Sequence, residues 1–144
     1  MNALRKIHRA LVPGGLVIDT QPLSAHPPIE SGSGMLGTLD MSEWARTVAA
    51  IDGFVQQTVD RGLFDLERES RYVVTDEYDD GAEFVAVTRE WAGTNVSEAL
   101  AARVGPEQGR VRLHQDVRLR LLRATASAAS KTAGSSRTGR RATP

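Results

Sequence analysis

The hydrophobic pattern changes period along this chain, and each change marks an element. Leu4, Ile7 and Leu11 recur at helical spacing and predict a short helix with one apolar face. Pro13 ends it, because its ring disfavours helical geometry at Val12 and it has no N–H to donate. Gly14 and Gly15 supply the positive φ angles of a tight reversal. Leu16-Val17-Ile18 follows as an unbroken apolar run, which predicts a strand covered on both faces. From Thr20 to Leu39 periodicity is lost; Pro22, Pro27, Pro28 and Ser31-Gly32-Ser33-Gly34 predict a long loop.

Helical spacing returns with Trp44, Val48, Ile51, Val55 and Val59, behind the capping sequence Asp40-Met41-Ser42-Glu43 and ahead of a closing Gly62. Phe64 to Val74 alternates with period two: Phe64, Leu66, Tyr72 and Val74 share one parity, and Asp65, Glu67, Glu69 and Arg71 the other. That pattern predicts a half-exposed antiparallel strand near a sheet edge. Asp80-Gly81-Ala82-Glu83 repeats the capping sequence before Phe84, Val87 and Trp91, and Ser97 to Arg103 reads as a further short helix. The last strand puts Val111, Leu113, Val117, Leu119 and Leu121 on one face, with Arg110, Arg112, His114, Arg118 and Arg120 on the other. Arg112, Arg118 and Arg120 are expected to pair across strands with Asp65, Glu67 and Glu69. From Ala124 onward the chain is Ala, Ser, Thr, Gly and Arg, so residues 1–123 are expected to fold and 124–144 to form a disordered basic tail.

His8-Arg9-Ala10-Leu11-Val12-Pro13-Gly14-Gly15 and the strand after it resemble the helix, P-G-G turn and fifth strand of class I S-adenosylmethionine-dependent methyltransferases. The order of elements after Asp19 is similar to that family's C-terminal half, so the resemblance runs from about Asn2 to Arg123. It implies an α/β fold, a partial Rossmann-like sheet holding the fifth to seventh strands with flanking helices, the last two strands antiparallel. S-adenosylmethionine is the cofactor of the complete fold, held by an N-terminal half with a G-x-G-x-G turn and an acidic residue ending the second strand. Neither Gly14-Gly15 nor the Ser-Gly repeat lies between a first strand and its helix. The expectation is therefore a truncated or relic methyltransferase, inactive and without cofactor as a single chain. Its first strand, lacking four neighbours, would keep an unpaired edge and an uncovered face, and would aggregate or borrow a partner strand. The alternative is a non-enzymatic assembly or binding module that forms a homodimer through that edge.

Composition narrows the chemistry further. The chain has no cysteine, which excludes disulfides, thiolate catalysis and Cys-based zinc sites, and fits a cytoplasmic protein. Formal charge is zero, yet residues 124–144 carry about +4 and the remainder about −4, which argues against nucleic-acid binding by the folded part. No apolar run approaches the ~20 residues of a membrane span, so no membrane partner is expected.

The chemistry-bearing residues are few. Ligands of open α/β sheets bind beyond the carboxyl ends of strands, so the resemblance makes Asp19, Thr20 and Gln21 substrate-side candidates, with His26 in the Pro-rich segment behind them. The methyl acceptor, a small molecule if the fold is active, is not specified by these residues. Strand-end capping explains Asp19 and Thr20 equally well. His8 and His114 read as structural, Asp79-Asp80 as a turn with a helix cap, and no metal-ligand spacing occurs. No G-x-S-x-G elbow supports a serine nucleophile.

Overall fold

The computed structural model describes residues 3–126. Elements run in the order α1 (Ala3–Ala10), β1 (Leu16–Pro22), β2 (Pro28–Ser31), β3 (Gly34–Thr38), α2 (Ser42–Asp60), β4 (Phe64–Tyr78), α3 (Gly81–Arg89), α4 (Glu98–Val104) and β5 (Val111–Ala124). The protein is thus α/β, with four helices on a five-stranded sheet whose pairings are all antiparallel. β5 is the spine. It pairs β4 along nearly its whole length on one side; on the other it pairs β2 with its first residues and β1 with its last. Of the tail expected over 124–144, residues 127–144 lie outside the described residues, and Ala124 is instead the last residue of β5.

Each face of β5 is covered over a different half. Side chains alternate sides along a strand. Val111 and Leu113 join Ile29, Leu36, Leu39, Phe84, Leu100 and Val104 in one core, under α3, α4 and the β2–β3 hairpin. Leu122 and Ala124, of the opposite parity, join Val55 and Phe64 in a second core, under α1 and α2. The single inward face expected for β5 is therefore corrected: Leu119 and Leu121 are only half-buried, whereas Arg118 and Arg120 lie on the covered side of their half and are buried.

β4 corrects the pattern for a related reason. A bulge between Leu66 and Arg68 shifts its register, so Phe64 and Leu66 share a face with Leu122, while Tyr72 and Val74 sit opposite Val117 and Gln115. Residues of one parity thus end on two faces.

The long loop expected from Thr20 to Leu39 is also replaced. β1 continues to Pro22, and the Ser-Gly repeat forms the turn of the β2–β3 hairpin, which Ile29 and Leu36 anchor in the first core. β1 is covered on one face only: Ile18 is 65% exposed and Leu16 46%.

Local capping explains the helix ends. Asp80 accepts from the Glu83 amide while Glu83 accepts from the Asp79 amide, and Ser97 accepts from the Leu100 amide. α2 ends in a Schellman motif: Gly62, at φ +65°, donates to Val59 and Leu63 donates to Thr58. Its start differs from expectation. Met41 is the cap residue, and Asp40 accepts instead from the backbone and hydroxyl of Ser42. In the first turn only Gly14 has positive φ; Gly15 is needed because a Cβ there would lie 3.0 Å from the Val12 carbonyl.

Candidate functional site

The substrate-side residues drawn from the sequence divide between two faces of β1. Asp19 and Gln21 point toward α2, in register with Arg120 and Arg118; Thr20 points to the other face, in register with Leu119. Asp19 is committed to an ion-pair network. Arg120 donates to Asp19 Oδ2 from Nε at 2.8 Å and from Nη2 at 2.6 Å, and to Asp52 Oδ1 at 2.8 Å. Arg118 forks onto Asp52 through both terminal nitrogens, and Gln21 donates to Asp19 Oδ1 at 2.8 Å.

Two buried guanidinium groups and two carboxylates therefore alternate between β1, β5 and α2. Burial works to raise Asp52, but the hydrogen bonds and charges of Arg118 and Arg120 outweigh it and hold the carboxyl below its ordinary range. The same pairing raises Arg118, first through its bond to Asp52. Such a network fixes strand-to-helix register; every Asp19 oxygen is already taken by Arg120 or Gln21. His26 is exposed in the segment between β1 and β2, beside Asp40, and does not meet Asp19, Thr20 or Gln21. The four residues thus form no single constellation.

The expected partners of the arginines change as well. Arg112 pairs with Glu77 at 2.8 Å, and Arg123 pairs with Glu67 through both ends of its fork. The β4 bulge brings Glu69 into register with Arg120 and leaves Arg71 opposite Arg118, yet both arginines take their ion-pair partners from β1 and α2. Asp52 carried no signal in the sequence, being one polar residue within an amphipathic helix.

Beside the network, the outer edge of β1 is unpaired among the described residues. A groove of about 550 Å³ runs along it between α1 and α2, walled by Leu4, Ile7, Val17, Ile18, Phe54 and Leu122. Ile7, Ile18 and Phe54 are 39%, 65% and 51% exposed, so the edge and its flanks form a continuous apolar surface.

The described residues do not fit S-adenosylmethionine. Gly14-Gly15 joins a helix to a strand and Gly32 and Gly34 turn a hairpin, so neither opens a helix toward a phosphate or carboxylate. Gly81 alone follows a strand into a helix, but the space a Cβ would occupy there is filled by the Val104 carbonyl at 1.8 Å. That glycine serves close packing of α3 on α4. Comparison with protein families, curated proteins and solved structures finds no match.

Proposed function

We propose that this chain is a methyltransferase-like half-fold, inactive and without cofactor by itself, that takes the remainder of its sheet at the β1 edge. One observation carries the reading: among the described residues, the strand after the Pro-Gly-Gly turn has one paired edge and one covered face, the condition expected of a fifth strand separated from the first four. The antiparallel pairing of β4 with β5 agrees with it. In the complete enzyme the cofactor supplies the electrophile, and the part of the fold represented here would orient the acceptor. The test uses the species isolated from its native source. Expected are a mass above 15.6 kDa and saturable S-adenosylmethionine binding, with none by this chain alone. A native species of 15.6 kDa that stays monomeric and binds no S-adenosylmethionine overturns the completion of the sheet at the β1 edge and leaves a relic. Binding of S-adenosylmethionine by this chain alone overturns the reading altogether.

The groove favours a second reading, in which two copies join through their β1 edges as a non-enzymatic module. Light scattering decides it: a dimer that persists on dilution supports self-assembly, and a monomer at all concentrations excludes it.

A further inference from the structure

A second cleft lies on the opposite face of the sheet from the ion-pair network. We infer that the cleft between Trp44 and Trp91, floored by Gln115 and Asp76, binds a small organic ammonium ion that also carries a hydroxyl or carbonyl oxygen. It encloses about 590 Å³, and its walls include Pro22, Met41, Glu90 and Thr94. The turn after α3 builds it. Gly93, at φ +76°, accepts from the Trp44 amide at 3.2 Å, and the Asn95 amide donates to Asp40, docking Trp91–Asn95 onto the start of α2. A Cβ on Gly93 would lie 3.0–3.2 Å from Trp44, so the close approach needs glycine.

Three residues that line the cleft each hold a buried polar atom with no hydrogen-bonding partner among the described residues: Trp44 Nε1, Thr94 Oγ1 and Gln115 Oε1. Such atoms are costly to leave unsatisfied. Gln115 is the most telling, being only 7% exposed. Its amide nitrogen donates to Asp76 Oδ2 at 2.7 Å, which leaves the carbonyl as a fixed free acceptor. The free acceptor and the Asp76 carboxylate call for an N–H donor of positive charge, and the Trp44 N–H calls for an oxygen on the same ligand.

The rest of the lining agrees. Its ionisable groups are Asp76 and Glu90, with no Lys, Arg or His among them. Two indoles beside two carboxylates attract cations, because the ring faces carry negative quadrupole charge. Pro22 places the cleft at the carboxyl end of β1. The inference stands on these contacts and does not require the methyltransferase reading.

Both tryptophans of the chain line the cleft, so intrinsic fluorescence reports on it directly. Ethanolammonium is the probe, 1-propanol its neutral counterpart, and acetate the control for charge sign. Expected is a saturable fluorescence change with a Kd on the order of 1 mM for ethanolammonium and none for the other two. Asp76→Asn should weaken binding about tenfold, the equivalent of one lost charge interaction. Because that change also touches Gln115, the exposed Glu90→Gln is the second variant, with weakening of about threefold and an unchanged urea midpoint. No saturation with ethanolammonium, an equal response to 1-propanol, or full affinity in both variants overturns the proposal and leaves a merely hydrated cleft.

Discussion

The two ends of β5 have the same neighbours in kind, a strand on each side and helices above, yet they are stabilised differently. At the first end, Val111 and Leu113 sit in a core of ten buried residues closed by α3, α4 and the hairpin. At the second, four buried residues form the core, and the rest of the covered face is given to Arg118, Arg120, Asp19 and Asp52. The other face of that end, with Leu16 and Ile18, is bare. The difference teaches where the sheet is self-sufficient. The first end buries its apolar surface with its own chain; the second substitutes a directional polar network for packing and leaves apolar surface for something else to cover.

Packing at the first end should therefore be the least tolerant of change. Gly81→Ala is expected to have the largest effect, because its Cβ would stand 1.8 Å from the Val104 carbonyl oxygen and 2.7 Å from its carbon. Neither atom is a flexible side-chain end, so α3 and α4 must separate. A loss of about 4 kcal/mol or more is expected in urea unfolding. A loss below about 1 kcal/mol would show that the two helices are not rigidly docked. Phe84→Ala and Phe64→Ala compare the ends directly, both side chains being fully buried. Phe84 should lie near the upper limit of the ~3–5 kcal/mol range and Phe64 near the lower. Phe64 leans edge-on against His8 at 5.3 Å, on a helix with no buried residue of its own, so its cavity can relax. Equal losses would erase the contrast.

What the sequence disclosed follows the same division. Helices with caps and unbroken stripes were legible: Asp80 caps as its spacing implies and Gly62 ends α2, while Ser97, read as the first residue of its helix, caps it instead. Strand faces were legible only locally. A bulge at Leu66/Arg68 and the exchange of covered face along β5 are set by long-range packing, which alternation within one segment does not encode. The hairpin was hidden because Pro28 and the Ser-Gly repeat read as breakers, although Pro28 only takes the first position of β2, before its pairing with β5 begins, and the repeat only turns the hairpin. Among the candidate residues, Asp19 and Gln21 share a hydrogen bond, and Arg120 joins Asp19 to Asp52, which lies far away in sequence and carries no local signature.

The network at the second end gives a pH-dependent signature. Asp52 has a folded-state pKa below its unfolded 3.8. Its stabilising contribution is thus fully present above pH 3.8 and is lost as pH falls through the folded value. The stability gap between the wild type and Asp52→Asn should be about 1–3 kcal/mol at pH 7 and close progressively below pH 3.8. A gap that persists undiminished at pH 2 would mean that Asp52 acts through shape and not charge. Tyr78 reports on the first end from the alkaline side. Burial, followed by the charges of Asp76 and Glu83, pushes its phenol up to about 12. The stability it contributes is complete below pH 10 and declines as pH rises toward 12. The absorbance difference at 295 nm between wild type and Tyr78→Phe should therefore rise late, near pH 12; a midpoint near 10 would show that the first core admits water.

The smallest effect on stability should come from the outer edge of β1, where the consequence for association is expected to be the greatest. β3 and β4 also keep a free edge among the described residues, and those of β4 and β1 are dressed in opposite ways. β4 carries Asp65, Glu67, Arg68, Glu69 and Arg71 in succession, a charge density that discourages another strand from adding. β1 offers Leu16, Val17 and Ile18, flanked by exposed Ile7 and Phe54, with no charge before Asp19, which Arg120 neutralises. Ile18→Lys changes a side chain that is already 65% exposed, so unfolding free energy should move by less than about 0.5 kcal/mol. If the bare edge is where the sheet is completed, whether by a second copy or by the remaining strands, the same substitution should abolish that association in light scattering, while Glu69→Lys on β4 leaves it intact. Association that survives Ile18→Lys but fails with Glu69→Lys would place the contact on the charged edge. The apolar surface at β1 would then be simply exposed.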